Sequence, residues 1–177
     1  MKTFGIDLSL THTGLALLED GKLVYTKSIL TKPKGKRPID EITRLELIVD
    51  QICELLDADK PDVVAIEGIA FMASKTTALA QLSGLNYMMR KELKDRNIKF
   101  IIVAPSSLKK FITGAGNAKK DEMMLAVYKR WSVTLLDDNE NDAYCLAQVA
   151  FVIADIGYKV SGQQKNVIQL ISSQLND

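Results

Sequence analysis

Three acidic residues stand where the sequence predicts that secondary-structure elements end or begin. Asp7 closes an N-terminal apolar stretch, Glu67 follows the apolar residues 63–66, and Asp142 ends the acidic run 137–142. If the two apolar stretches are neighbouring parallel strands, their carboxyl ends bring Asp7 and Glu67 together at one edge of a sheet. Crowded carboxylates repel one another, and the natural neutraliser is a hard divalent cation with oxygen ligands. Two such ions about 4 Å apart activate water and stabilise the leaving oxygen in phosphodiester hydrolysis, so the pattern indicates a metal nuclease that uses Mg²⁺, with Mn²⁺ as a substitute.

Each acid also has an ordinary structural interpretation. Asp7 could begin a polar turn, and Glu67 could be a solvated strand end. The run 137–142 suits the cap and the dipole of a helix. The nuclease hypothesis therefore depends on the three positions taken together.

The composition narrows the chemistry further. The chain of 177 residues has 23 basic and 22 acidic side chains, a formal net charge of +1 and a single histidine, His12. One histidine excludes a multi-histidine zinc site, and the distant Cys53 and Cys145 disfavour a zinc ribbon or a disulfide scaffold. No apolar run approaches the ~20 residues of a membrane span, and no signal-like segment is visible. We expect a cytoplasmic protein without membrane association.

The net charge averages over segregated patches. Residues 27–37 carry five basic side chains and no acid, and residues 109–130 carry six basic side chains against two acids. Residues 137–142 carry four acids. A metal-dependent nuclease needs both signs, since bases hold phosphate and acids hold metal.

The elements that must position these residues alternate between strands and helices. An acid-glycine turn at Glu19-Asp20-Gly21 predicts a hairpin, and apolar periodicity predicts the other elements. The predicted strands are 2–8, 14–19, 22–29, 62–66 and 98–103. The predicted helices start near residue 39 and cover 74–95, a short helix from Pro105 capped by Ser106 or Ser107, 118–130 and 138–157, with 131–136 as a short extended segment.

This order predicts an α/β fold with a five-stranded mixed sheet flanked by helices. Three antiparallel strands come first, and right-handed crossovers then place two further strands parallel to the first. That is the ribonuclease-H-like order, which one half of the actin and sugar-kinase fold shares. We expect one domain over residues 1–158 and a tail over 159–177 that is either a docking helix or disordered.

A rival interpretation uses the same first strand. Asp7-x-Ser9-x-Thr11-x-Thr13-Gly14 resembles the phosphate loop of sugar kinases and actin-like ATPases, where hydroxyls and amides cradle a nucleotide. That fold needs two such domains and roughly twice this length, with a second phosphate loop that the sequence lacks. It remains the minor alternative, and no nucleotide cofactor is expected.

Four motifs in order resemble the RuvC-type Holliday-junction resolvases, including their bacteriophage relatives. The similarity covers about residues 3–156. The motifs are the opening segment 5–14 with Asp7, Ile66-Glu67 followed by Phe71-Met72, the lysine-bearing segments 105–110 and 114–120, and Asn139-x-x-Asp142-Ala143.

The resemblance implies a homodimer that binds four-way or branched DNA and nicks two opposed strands symmetrically with Mg²⁺, in a bacterium or a phage-infected cell. Carried over by position, the metal ligands are Asp7, Glu67, Asn139 and Asp142, and Lys120 joins them as a catalytic residue. The expected DNA contacts are Phe71, Lys109, Lys110, Lys119 and Lys120. Phe71 would stack on or wedge a base near the junction centre, although core packing with Met72 is its structural alternative. The small and apolar residues of the helix 74–95 suit a dimer contact as well as packing on the sheet.

Asn139 departs from the family pattern, which usually has an acid or a histidine there. An asparagine offers a metal one neutral oxygen, and Asp138 or Glu140 would substitute if the helix starts differently. A second hypothesis follows, in which the chain binds junctions with weak or absent cleavage.

Overall fold

A five-stranded mixed sheet in the order β3-β2-β1-β4-β5 forms the centre of the fold. The computed structural model describes residues 1–69, 77–155, 157, 160 and 162–175. The strands are β1 (Lys2–Asp7), β2 (His12–Glu19), β3 (Lys22–Leu30), β4 (Val63–Glu67) and β5 (Lys99–Val103). The helices are α1 (Pro38–Asp59), α2 (Thr77–Asp95), α3 (Pro105–Thr113), α4 (Lys120–Trp131), α5 (Asp138–Ala154) and α6 (Gly162–Ser172), followed by a 3₁₀ turn over Ser173–Leu175.

The pairing of the strands confirms the predicted fold class. β1, β2 and β3 form an antiparallel meander, and β4 and β5 run parallel to β1. Asp20 and Gly21 connect β2 to β3 with φ angles of 49° and 74°, which suits a two-residue hairpin turn. Because β3 is antiparallel to β2, it points the same way as β1. The carboxyl ends of β1, β3, β4 and β5 therefore share one edge of the sheet.

Helices cover both faces of the sheet. α1 and α2 pack on one face around Phe4 and Ile6 of β1. α5 covers the other face, together with residues of α3, α4 and α6. Side chains alternate along a strand, so Asp7 lies on the α5 face with Gly5. Glu67 lies on that face as well, since Val63 and Ala65 pack in the α5-side core.

Two glycines allow α5 to rest directly on the sheet. A Cβ atom on Gly5 would lie 1.9 Å from the carbonyl oxygen of Ala143, and one on Gly14 would lie 2.1 Å from the carbonyl oxygen of Asn139. Real Cβ atoms do not approach other heavy atoms so closely, so only glycine fits at these positions. The backbone contact fixes the first turns of α5 over the ends of β1 and β2, where Asp142 meets Asp7.

Several boundaries differ from the sequence prediction. Ala104 precedes α3 and Pro105 occupies its first turn, so neither Ser106 nor Ser107 is the cap, because a proline already suits the first helical position. Residues 132–136 form no regular secondary structure, and α5 ends at Ala154. The first residues of the predicted helix 74–95 lie outside the described residues. Within the predicted tail, Val167 and Ile171 of α6 are buried in the α5-side core. Among the described helices, none is long and apolar enough to cross a membrane.

Candidate active site

Asp7, Glu67 and Asp142, here called the carboxylate centre, lie at the carboxyl edge of β1 and β4 beneath the start of α5. Asp7 is only 8% exposed, and the other two are half-buried. β1 and β4 are aligned so that Ile6 is opposite Ile66, and the next residues of the two strands are Asp7 and Glu67. The prediction that parallel strand ends bring these two carboxylates together agrees with this register.

The electrostatics show how closely the carboxylates interact. Burial, reinforced by the charges of Glu67 and Asp142 and by a hydrogen bond to Glu67, raises the pKa of Asp7 to about 8. Burial and the charge of Asp142 raise the pKa of Glu67 to about 7. Burial is also the main cause that raises the pKa of Asp142. Asp7 and Glu67 therefore hold a shared proton near neutral pH when no cation is present.

Two of the predicted lysines face this centre. The charge of Lys120 lowers the pKa of Asp7 and of Asp142, and the charge of Lys109 lowers the pKa of Glu67 and of Asp142. Lys120 Nζ also donates to Asp138 Oδ2 at 2.7 Å, and this hydrogen bond is the main cause that raises the pKa of Lys120. Lys109 lies midway along α3, the helix that follows β5, and Lys120 is the first residue of α4.

Lys110 and Lys119 are both exposed. Lys110 lies on α3, and Lys119 directly precedes α4, where its backbone N–H donates to Glu122 Oε2 at 2.7 Å. Phe71, the remaining predicted DNA contact, lies outside the described residues, and its role stays a prediction.

The acids at the start of α5 have different partners. Asp137 caps the helix by accepting from the backbone N–H groups of Asn139 and Glu140 at 2.9 and 3.0 Å. Asp138 pairs with Lys120. Glu140 accepts from Thr26 Oγ1 at 2.5 Å and from Ser28 Oγ at 2.7 Å. Asp138 is thus paired with α4 and Glu140 with β3.

Asn139 itself lies one helical turn before Asp142, since residues three apart lie on the same side of a helix. Its carbonyl group is the part of α5 that contacts Gly14. This position keeps Asn139 at the carboxylate edge, where its amide oxygen remains the expected fourth ligand.

Polar residues that sequence reasoning missed hold the centre in place. His12 Nε2 lies 3.0 Å from Ser28 Oγ and 3.2 Å from Asp137 Oδ2, so it links β3 to the cap of α5. On the other side of the sheet, the buried Asn86 of α2 donates to the carbonyl oxygen of Glu67 at 3.1 Å. The alternation of Thr26 and Ser28 on β3 was the available signal that this strand turns a row of hydroxyl groups toward α5. No comparable pattern around Asn86 predicts its contact with Glu67.

In the loop after Asp7, the hydroxyl groups of Ser9 and Thr13 form hydrogen bonds within the loop. Thr13 Oγ1 donates to the carbonyl oxygen of Ser9 at 2.8 Å and accepts from the backbone N–H of Ser9 at 3.1 Å. Ser9 Oγ accepts from the backbone N–H groups of Thr11 and His12, both at 3.3 Å. Hydroxyls bound in this way are not presented to a nucleotide phosphate, which disfavours the kinase-like alternative.

The donor set suits a hard divalent cation. The centre offers carboxylate oxygens from three elements, with the amide oxygen of Asn139 beside them, and such ligands favour Mg²⁺ or Mn²⁺. The buried Oδ1 of Asn141, the neighbour of Asp142, has no hydrogen-bond partner. Across the described ranges, no group of three or more His, Cys, Asp and Glu side chains forms a ready-made metal site.

Comparisons of the sequence with known proteins all point to one family. A profile of the family described as "Crossover junction endodeoxyribonuclease RuvC" matches residues 3–151. The RuvC protein of Thermomicrobium roseum is 30% identical over 156 residues, which cover 85% of this chain and 93% of the relative. The RuvC protein of Brachyspira hyodysenteriae is 32% identical over 151 residues, which cover 83% of this chain and 91% of the relative.

Solved structures share the fold. The Thermus thermophilus RuvC structure aligns with a TM-score of 0.72 at 22% identity, covering 87% of this chain and 96% of that one. The same protein in complex with a Holliday junction substrate aligns with a TM-score of 0.72 at 21% identity, covering 89% and 96%. Both alignments cover more than four fifths of this chain.

Proposed function

The chain belongs to the RuvC family of crossover junction endodeoxyribonucleases, and we propose that its carboxylate centre cleaves Holliday junctions and other branched DNA. The single observation that carries this proposal is the meeting of three carboxylates from β1, β4 and α5 at one edge, with Lys109 and Lys120 facing them. A binding protein without chemistry has no need for acids that are buried against their own repulsion.

Asp7, Glu67 and Asp142 would hold divalent cations, with Asn139 as a neutral fourth ligand. The cations, when bound, activate water and stabilise the leaving oxygen of the phosphodiester. Glu67 and Asp7 must first release their shared proton, so both carboxylates become fully available only toward alkaline pH or when a cation displaces the proton. Mg²⁺ fits the all-oxygen donor set, and Mn²⁺ substitutes.

The lysines act on the phosphate. Lys109 of α3 and Lys120 of α4 face the centre, where their charges attract a phosphodiester and stabilise the negative charge that develops during hydrolysis. The ion pair with Asp138 fixes the position of Lys120. In-line attack by water breaks the bond to the 3′ oxygen and leaves 5′-phosphate and 3′-hydroxyl ends.

Two copies of the chain would act on one junction, because one centre cuts one strand at a time. α2 is the proposed contact between the copies. Its buried residues Leu85 and Met89 pack on the sheet, whereas Ala78 and Ala80 are exposed and permit close approach of a second helix. The mass of the chain in solution, measured by light scattering with and without junction DNA, tests this arrangement.

The decisive experiment incubates the protein with a labelled four-way junction and Mg²⁺ or Mn²⁺. Asp7→Asn removes a proposed ligand, and Asp50→Asn makes the same chemical change at an exposed site on α1. We expect paired symmetric nicks from the wild-type chain and from Asp50→Asn, and none from Asp7→Asn. Tight binding without nicks under either metal would favour the junction-binding alternative, and ATP turnover without DNA would favour the kinase-like one.

A further inference from the structure

A second basic surface lies on the β3 side of the carboxylate centre. The loop over residues 31–37, here called the β3–α1 loop, presents Lys32, Lys34 and Lys36, all of them exposed. It follows β3, which is at one end of the sheet order, whereas β5, which leads into α3 with Lys109, is at the other end. With about 4.8 Å between strands, the five strands span roughly 19 Å, and β1 with Asp7 is the middle strand.

The loop is anchored to the segment that follows Asp7. The backbone N–H of Thr31 donates to the carbonyl oxygen of Thr11 at 3.0 Å, and Thr31 Oγ1 donates to the carbonyl oxygen of Leu10 at 2.5 Å. Arg44 of α1 donates to that same oxygen of Leu10 and, at 3.2 Å, to Thr31 Oγ1. Leu10 is three residues beyond Asp7, a distance of at most about 11 Å along the chain. The first lysine of the loop therefore starts close to the cleavage edge.

The three lysines are available to a ligand. In the part of the chain that the structure describes, none of them has an ion-pair partner, whereas Arg37 at the end of the loop pairs with Asp40 at 2.6 Å. Glu41, which is half-buried, is the remaining acid of this stretch. Three unpaired cations on one short loop form a local surplus of positive charge, and such a surplus is typical of a surface that binds a polyanion.

Duplex DNA fits this surface better than an acidic peptide does. A groove of about 620 Å³ beside the loop has Leu30, Ile39 and Leu47 among its lining residues, and by itself it would suit either partner. The lysines, however, share the carboxyl edge with the carboxylate centre and with the basic residues of α3 and α4. A duplex that places a phosphodiester at Asp7 passes over this edge on both sides.

We propose that the β3–α1 loop is a duplex-binding element that holds the DNA arm on the β3 side of the cleavage site. Lys32, Lys34 and Lys36 contact its phosphates about three to five nucleotides from the scissile bond, given about 3.4 Å of rise per nucleotide of one strand. The inference rests on the proposed function, because it names a further contact of the same substrate.

The test measures junction binding in an Asp7→Asn background, where cleavage cannot confuse the result. Lys32→Gln, Lys34→Gln and Lys36→Gln are combined in one variant. The matched control combines Lys60→Gln, Lys94→Gln and Lys99→Gln, three exposed lysines near the opposite edge of the sheet. We expect the loop variant to bind a four-way junction about tenfold to a hundredfold more weakly, with a salt slope lower by about 2 to 3, while the control changes binding by less than about twofold.

A second measurement locates the contact on the DNA. Methylphosphonates neutralise the phosphates about three to five nucleotides from the cleavage site. These substitutions in the DNA should weaken binding by the parent protein, which is the Asp7→Asn variant with its loop lysines intact. They should add nothing to the loss of binding that the loop variant already shows. Equal losses in the loop and control variants, or fully additive losses with the methylphosphonates, would overturn the inference. Unchanged DNA binding by the loop variant would also overturn it, and loss of binding to an acidic peptide with unchanged DNA binding would point to a protein partner instead. A parent protein that does not bind junctions at all would refute the proposed function rather than the role of the loop.

Discussion

Replacing Asp7 by asparagine should stabilise the protein at neutral pH, even though we expect it to abolish cleavage. The folded state holds a proton on Asp7 up to about pH 8, whereas the unfolded carboxyl releases its proton near its ordinary pKa of 3.8. Between these values the folded state binds more protons than the unfolded state. The free energy of unfolding of the wild-type chain therefore falls as pH rises through this window.

The slope of this fall gives the size of the effect. A difference of one bound proton changes the free energy of unfolding by about 1.4 kcal/mol for each pH unit. From about pH 5 to about pH 7 the wild-type chain should lose about 3 kcal/mol that Asp7→Asn retains. For a chain of this size, that corresponds to a difference in Tm of about 6–12 °C. The substituted amide can still donate a hydrogen bond to Glu67, so the packing is preserved.

Thermal and urea unfolding of both proteins, in the presence of a chelator and across about pH 5 to pH 8, measures the effect. Asp50→Asn serves as the control, because it changes an exposed carboxylate on α1. Addition of Mg²⁺ at the alkaline end should raise the Tm of the wild-type chain and leave that of Asp7→Asn nearly unchanged, since a ligand stabilises the state that binds it. Wild-type and Asp7→Asn stability curves that run parallel over the whole range would refute the reasoning.

Three further changes probe the frame, the ligand set and the charge of the site. Gly5→Ala places a Cβ atom 1.9 Å from a carbonyl oxygen of α5, so urea unfolding should show a loss of about 3 kcal/mol and cleavage should become slower; a fully stable variant would contradict the close contact. Asn139→Asp restores the charged ligand of the family pattern, and the Mg²⁺ concentration for half-maximal cleavage should fall about threefold to tenfold; an unchanged concentration would remove Asn139 from the ligand set. Lys120→Gln removes a charge that lowers the pKa of Asp7, so the acidic limb of the pH–rate profile should move upward by up to about one unit. Lys129→Gln, an exposed change near the end of α4, should leave that limb in place.

The sequence predicts the strands well because their signals are local. The apolar stretch that ends at Glu67 and the alternation that ends at Asp7 both depend on neighbouring residues, and a right-handed crossover then leaves one parallel arrangement. The resemblance to a known family supplied the roles of the lysines. The local pattern was insufficient at the start of α5, because it does not tell the acids of residues 137–142 apart. Their different roles follow from the periodicity of the helix and from their partners on β3 and α4.

The close approach of α5 is the part that no local pattern contains. Gly5 and Gly14 look like ordinary strand glycines in the sequence, and their purpose appears only when Ala143 and Asn139 are seen against them. The contacts between Glu140 and β3 join residues more than 110 positions apart. Contacts of this kind depend on the assembled tertiary structure, and sequence reasoning reaches them only through a known relative.

These contacts explain how a repulsive site stays assembled. At neutral pH the carboxylates that remain ionised beside the shared proton repel one another, and without a cation this repulsion destabilises the contact between α5 and the ends of β1 and β4. Three anchors along α5 oppose it, since Thr3 Oγ1 donates to the carbonyl oxygen of Ala147 at 3.1 Å, Glu140 accepts from β3, and Gln148 Nε2 donates to the carbonyl oxygen of Gly21 at 3.0 Å. The anchors attach the helix to β1, to β3 and to the hairpin between β2 and β3. Because each anchor is fixed independently of the carboxylates, the site can keep its charges poised for a cation and still hold its geometry.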